Sequence, residues 1–192
     1  IMSLPDKKSD NKLRVERIVK HLKRDISDIT NLSVLDVGSG LCVFLGELKK
    51  YGLKNLNCID PSKISVSHSL ENVKINSAYQ GDFFDFDSKN KYDLITFNKV
   101  LEHVQNPIKM LSKAKEHLNR DGLVYLELPD GKSASQSGGF VDREEFFLEH
   151  FTVFNKESTN CLINMSGFKV IEIGEIHEPS DKYTIFSFIK IN

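Results

Sequence analysis

The sequence predicts an α/β fold: a doubly wound, mostly parallel sheet with helices on both faces. Three observations predict it. Five short apolar runs rich in Val, Ile and Leu alternate with helical patterns between residues 32 and 128. The first run leads directly into Gly38-Ser39-Gly40 and a helix. The chain then closes with two further apolar runs joined by a short polar turn, which makes them antiparallel neighbours.

Each element has its own signal. In residues 12–25, Leu13, Val15, Ile18, Val19 and Leu22 recur at helical spacing, and Ile26 and Ile29 continue the stripe. Lys and Arg fill the opposite face, which reads as a solvated face. The first strand is expected at 32–37, followed by a helix over 41–51 that stops at Gly52. The second strand, 56–59, stops at Asp60-Pro61-Ser62, and Ser62 can cap a helix over 63–70. A third strand is expected at 73–78, then a turn at Gly81-Asp82 with an exposed aromatic flank. The fourth strand is 92–97. Pro107 opens a helix to about Leu118. Asp121-Gly122 reads as a turn before the fifth strand, 123–128. Residues 129–143 are rich in Gly, Ser, Asp and Lys and read as a long loop. A helix over 156–165 and strands at 168–176 and 184–191 complete the chain.

Composition removes several classes of function. Among 192 residues, 26 Lys and Arg balance 27 Asp and Glu, for a net charge of −1. A protein that coats nucleic acid would carry a strong basic excess. No run of 18 apolar residues is present, so no membrane span is expected. Residues 1–11 are polar, expected to be flexible, and lack the apolar stretch of a secretory leader. Cys42, Cys58 and Cys161 are odd in number and far apart, which supports neither a disulfide framework nor a zinc motif. A cytoplasmic location is the expectation. One oddity remains: nine of the 13 Phe fall within 83–97 and 140–154.

In a doubly wound sheet, ligands bind beyond the carboxyl ends of the strands. Strand one ends in Asp36-Val37-Gly38-Ser39-Gly40, where glycines admit a ligand close to the backbone. Asp60 ends strand two, where a carboxylate can accept both hydroxyls of a ribose. Asp82 follows strand three, where a carboxylate can take the amino group of an adenine. Asn98-Lys99 ends strand four. Each alone has a plain turn or capping explanation. Together they describe a nucleoside site. A nicotinamide-cofactor fingerprint would want a third Gly at position 43, where Val43 stands, and no Gly-Lys-Ser/Thr phosphate loop is present.

The segments VLDVGSGLCVFLGELKKYG, NLNCIDPS, GDFFDF and YDLITFNKVLEHVQNPIKML, in that order and spacing, resemble class I S-adenosylmethionine-dependent methyltransferases. The likeness is strongest to small-molecule enzymes of the ubiquinone-biosynthesis type, and it covers about residues 32–176. The resemblance implies a Rossmann-like seven-stranded sheet of order 3-2-1-4-5-7-6 with the last strand antiparallel. It implies S-adenosylmethionine as cofactor and S-adenosylhomocysteine as product. It places Asp36, Gly38, Ser39 and Gly40 by the methionine and sugar portions of the cofactor, and Asp60 with Pro61 by the ribose. Asp82 and Phe83 fall by the adenine, and Asn98 and Lys99 line the site. One departure is Cys42, where the family often has a third Gly.

Methyl transfer to a hydroxyl benefits from a general base, and His is the usual one. Of six His, His21, His68, His117 and His177 read as structural or surface groups. His150, just past the loop that follows strand five, is the preferred base, with His103, Glu145 and Asp142 behind it. Asn98 and Asp130 are two residue types a metal site after strands four and five needs, but the sequence shows no third partner, so no metal is expected. The adenine- and cytosine-methylating motif after strand four is absent. The expected acceptor is therefore a small molecule, first a sugar or sugar-nucleotide hydroxyl, second a quinone or other hydroxylated metabolite. A cofactor-binding but catalytically idle partner subunit is the reading from another class. Monomer and homodimer both stay open. The expected organisation is a single methyltransferase domain over 12–192, with an N-terminal helix and a lid insertion at about 129–155. Phe83 and Phe84 would flank the adenine, and Phe86 and Phe97 would be core. Phe140, Phe146, Phe147, Phe151 and Phe154 would wall the acceptor pocket.

Overall fold

The computed structural model describes residues 5, 8–138 and 143–192. Seven strands form one sheet: β1 (Ser33–Val37), β2 (Asn55–Asp60), β3 (Ser77–Gln80), β4 (Tyr92–Asn98), β5 (Leu118–Pro129), β6 (Phe168–His177) and β7 (Tyr183–Ile191). Their order is β3-β2-β1-β4-β5-β7-β6. Strands β1 to β5 pair in parallel, and β7 runs antiparallel to both β5 and β6. The expected fold class and strand order are observed.

The central strands are buried on both faces, which is why they read as continuous apolar runs. Leu35, Val37, Ile95 and Phe97 pack on one side against α4 (Pro107–Lys113) and α6 (Lys156–Met165). Val34, Leu94, Tyr125 and Phe188 pack on the other against α1 (Asp10–Leu22) and α2 (Val43–Lys50). A short helix, α3 (Lys63–His68), starts where Ser62 accepts the Ser65 N–H, as its sequence predicts.

Four local expectations are corrected. Helix α1 begins at Asp10 rather than 12, because the Ser9 hydroxyl caps it by accepting the Lys12 N–H at 3.3 Å. Strand β3 starts at Ser77 rather than 73, because α3 runs on into a wide π turn over Ser69–Val73 that Lys74 ends at φ 59°. Asp121-Gly122 does not interrupt β5; the pairing with β4 jumps from Leu118 to Leu123 opposite Tyr92 to Leu94, so the extra residues form a bulge. The 129–143 loop opens with a helix, α5 (Gly131–Gln136), because Asp130 accepts the N–H groups of Lys132 and Ser133.

The basic face of α1 is not all solvated. Arg14 and Arg17 reach the buried Glu127 at 2.6 Å and 2.8 Å, and the Tyr125 hydroxyl donates to the same carboxylate. Burial opposes the charge on Glu127, but the two guanidinium groups more than offset it and hold the carboxyl below its ordinary range. The group has no slack: its charge is tolerated only while its partners stay. Nearby Glu178 is also buried, and desolvation together with Glu127 pushes it up to about 7.

Candidate functional site

The carboxyl ends of β1, β2, β3 and β4 enclose a cavity of about 320 Å³. Gly38, Asp60, Pro61, Asp82, Phe83 and Lys99 line it, six of the ten residues named above for the cofactor. The other four stand behind or beside it. Asp36 is buried and accepts the Thr96 hydroxyl at 2.6 Å and the Asn98 amide at 2.9 Å. Its desolvation pushes the carboxyl up despite those bonds. Gly40 donates its N–H to Asp60 at 2.8 Å, and the other Asp60 oxygen takes the Ser62 N–H at 2.8 Å. Asp60 therefore ties the glycine loop to the end of β2 while each oxygen keeps further acceptor capacity.

The glycine loop needs its glycines. Gly38 has φ 69°, and an added Cβ would sit 2.8 Å from a Val100 methyl. An added Cβ at Gly40 would meet nothing within 4 Å, so the loop faces open space. Cys42 keeps the left-handed conformation that a third Gly would adopt, at φ 57°. It is fully buried, and its thiol lies against that of Cys58. The side chain thus points into the core and leaves the ligand side of the loop clear.

Asp82 accepts the Phe84 N–H at 2.9 Å and starts the turn Phe83–Asp85. The expected exposed aromatic flank is half corrected. Phe83 is buried against Phe86, Phe97 and His117, and presents only one side to the cavity. Phe84 is partly buried, with the Lys109 ammonium 5.5 Å from its ring. His117 is a buried core group with Nε2 3.2 Å from the Phe86 carbonyl, and its burial favours the neutral ring.

A second cavity of about 190 Å³ adjoins the first, and Lys99 and His103 line both. Glu102, Glu145, Phe147 and His150 line the second alone. His103 Nδ1 lies 3.2 Å from the Glu149 carbonyl, and His150 Nδ1 lies 3.2 Å from the Glu145 carbonyl. A carbonyl can only accept, so each Nδ1 carries a proton, which leaves Nε2 as the ring nitrogen able to hold a lone pair. The two rings meet edge to face with centroids 4.7 Å apart. The Phe151 N–H donates to the Glu102 carbonyl at 2.8 Å, which fastens the His150 segment to the turn Leu101–His103.

Glu145 takes another part. Burial would raise its carboxyl, but Arg143 and the Tyr183 N–H, at 3.0 Å and 2.8 Å, hold it below its ordinary range. It braces the segment to β7 and has little basicity to spare. Asp130 caps α5 with its carboxylate, and Asn98 gives its amide N–H to Asp36. Of the aromatic wall, Phe147 lines the second cavity, Phe151 is exposed and Phe154 belongs to the core. Asp142 and Phe140 lie outside the described residues.

Glu102 was missed as a site residue. It is buried, its Oε2 has no hydrogen-bond partner, and desolvation pushes its carboxyl up to about 7. A carboxylate next to His in a post-strand segment was the available signal.

The methyltransferase-domain family matches residues 9–173. A ubiquinone biosynthesis O-methyltransferase of Rickettsia typhi is 26% identical over 121 residues, 60% of this chain and 48% of that protein. The chain thus spans about half the length of the curated relatives it matches. Magnesium protoporphyrin IX methyltransferase from Synechocystis, solved with S-adenosylhomocysteine, superposes with TM-score 0.73 at 16% identity, covering 97% of this chain and 86% of that one. A 1,6-didemethyltoxoflavin-N1-methyltransferase from Burkholderia thailandensis gives 0.71 at 14% identity, covering 96% and 80%. At such identities these two likenesses concern the fold.

Proposed function

Since this chain belongs to the methyltransferase-domain family, we propose that it transfers a methyl group from S-adenosylmethionine to a hydroxyl of a small-molecule acceptor. The observation that carries this reading is the pair of adjoining cavities that share Lys99 and His103. One has the residue types a nucleoside needs, and the other presents imidazoles.

The residues fit the cofactor. Asp60 has acceptor capacity for ribose hydroxyls, and Asp82 keeps one oxygen outside its turn. The buried Ser39 Oγ and Asn98 Oδ1 lack partners and stand next to the glycine loop and the end of β4. Bound there, S-adenosylmethionine supplies a sulfonium-activated methyl that an acceptor oxygen displaces in line, leaving S-adenosylhomocysteine. His150, with Nδ1 fixed, offers Nε2 to take the hydroxyl proton, and His103 offers the same atom closer to the cofactor cavity. Holding both reactants across one shared wall supplies much of the rate by itself. Among acceptors, the names of the relatives favour a hydroxylated ring of the quinone type over the sugar hydroxyl placed first from sequence.

Calorimetry tests the cofactor and labelled methyl transfer tests the reaction, across catechol-type and sugar-nucleotide acceptors. We expect one S-adenosylmethionine per chain, and a His150→Ala variant that keeps cofactor affinity while kcat falls by about 100-fold. No binding at about 1 mM overturns the reading. Tight binding without turnover on any acceptor favours the idle subunit.

A further inference from the structure

We propose that Glu102, His103 and His150 form a binding site for one divalent transition-metal ion of the zinc or cobalt class. One ligand atom from each of these side chains lies within 4.8 Å of the other two. Two imidazoles and a carboxylate are a donor set that suits borderline ions, whereas magnesium and calcium want oxygen-rich shells.

Three independent observations support a built site rather than a chance cluster. The first is the state of Glu102. It is 1% exposed, lines the second cavity, and its Oε2 has no hydrogen-bond partner. Leaving a buried carboxylate oxygen unpaired is costly, and a cation removes the cost. The second is the state of the two imidazoles. Each Nδ1 is fixed by a backbone carbonyl, at Glu149 and Glu145, which is how metal-ligating histidines are usually oriented. That leaves Nε2 as the nitrogen each ring can offer an ion. The third is the scaffold. Glu102 and His103 are adjacent in one turn, while His150 comes from 47 positions further on. Three hydrogen bonds hold the two segments together: Phe151 N–H and Thr152 N–H to the Glu102 carbonyl, at 2.8 Å and 3.4 Å, and His103 to Glu149.

The surroundings argue both ways and leave a cation affordable. Lys99 lines the same cavity and opposes a second positive charge, and its own charge already acts on the Glu102 carboxyl, though less than burial does. Glu144 and Glu145 answer to Lys182 and Arg143. Burial falls from Glu102 through His150 to His103, so an ion can enter from the open side. With three protein ligands, its remaining positions open into the cavity. There they can take an acceptor oxygen, a statement that rests on the methyl-transfer reading, whereas the ion site does not.

The experiment uses the full chain, freed of metal by a chelator and dialysed. Zn²⁺ is titrated by calorimetry and Co²⁺ by its visible absorption, in parallel with S-adenosylmethionine. We expect one ion per chain with Kd of about 10 μM or tighter, against far weaker Mg²⁺ binding. Glu102→Gln and His150→Ala should each weaken Zn²⁺ by roughly tenfold or more. Unchanged cofactor binding and melting temperature in the metal-free variants would show that the fold is intact. No Zn²⁺ heat and no Co²⁺ bands at about 1 mM would overturn the proposal. So would an ion whose affinity both variants leave unchanged, as exposed Cys161 could provide. In either case intact cofactor binding would leave the methyl-transfer reading standing, with the imidazoles as bases.

Discussion

The two cavities sit side by side at one edge of the sheet, yet they are built differently. The first is made of backbone turns, each following its own strand: Gly38 to Gly40 after β1, Asp60 after β2, Asp82 after β3. Its supporting bonds are short-range along the fold, such as Gly40 N–H to Asp60 and Phe84 N–H to Asp82. The second is made of side chains brought together from residues far apart, held by cross-ties such as Phe151 to Glu102 and Glu145 to Tyr183. The α1 clamp on Glu127 adds a third long-range tie next to it, since the Lys99 N–H donates to the Glu127 carbonyl at 3.0 Å. The first site should therefore fail locally when damaged, and the second through the stability of its frame.

The largest effect should separate those two modes. Glu127→Ala leaves Arg14 and Arg17 partly buried without their acid. We expect a loss of about 3–5 kcal/mol in urea unfolding. A loss under about 1 kcal/mol would mean the clamp is solvated after all and the contrast collapses. Next comes Asp60→Ala, which should weaken S-adenosylmethionine by about 10- to 100-fold in calorimetry, with a smaller change in unfolding. An equal loss of stability and affinity would erase the distinction between the regions.

The smallest expected effect is a pH dependence on the clamp side. Glu178 titrates near 7 in the folded chain, well above an unfolded Glu near 4.5. Its stabilising share is complete below about pH 4.5 and is lost as pH rises through 7, because ionising it is easier unfolded. Glu178→Gln should therefore gain about 1–3 kcal/mol over the natural chain at pH 8 relative to pH 4.5. Equal unfolding profiles for the two proteins would show that Glu178 is already solvated.

The same contrast explains what could be read from the chain alone. The alternation of strands and helices and the residues around the first cavity follow from contiguous signals: an apolar run, a glycine, an acid at the next strand end. The strand order came from the family resemblance. Phe83 lines that cavity but was expected exposed, because a turn's sequence does not reveal what packs behind it. Glu102 stood in plain view beside His103, yet its meaning depends on His150 arriving next to it, and no spacing rule encodes that. Arg14 and Arg17 looked like a solvated stripe because their acid lies more than a hundred residues away. Asp130 was read as loop because Asp-Gly-Lys-Ser at a strand end serves equally as turn or helix cap.

Lys99 and His103 form a common partition between the two chambers. A partition has two sides, so a ligand that moves it in one chamber changes the fit in the other. Thermodynamic reciprocity then ties the two responses together: whatever factor the cofactor applies to acceptor affinity, the acceptor applies to cofactor affinity. On the methyl-transfer reading proposed above, that coupling lets product loosen or hold the spent donor through two side chains and without any hinge.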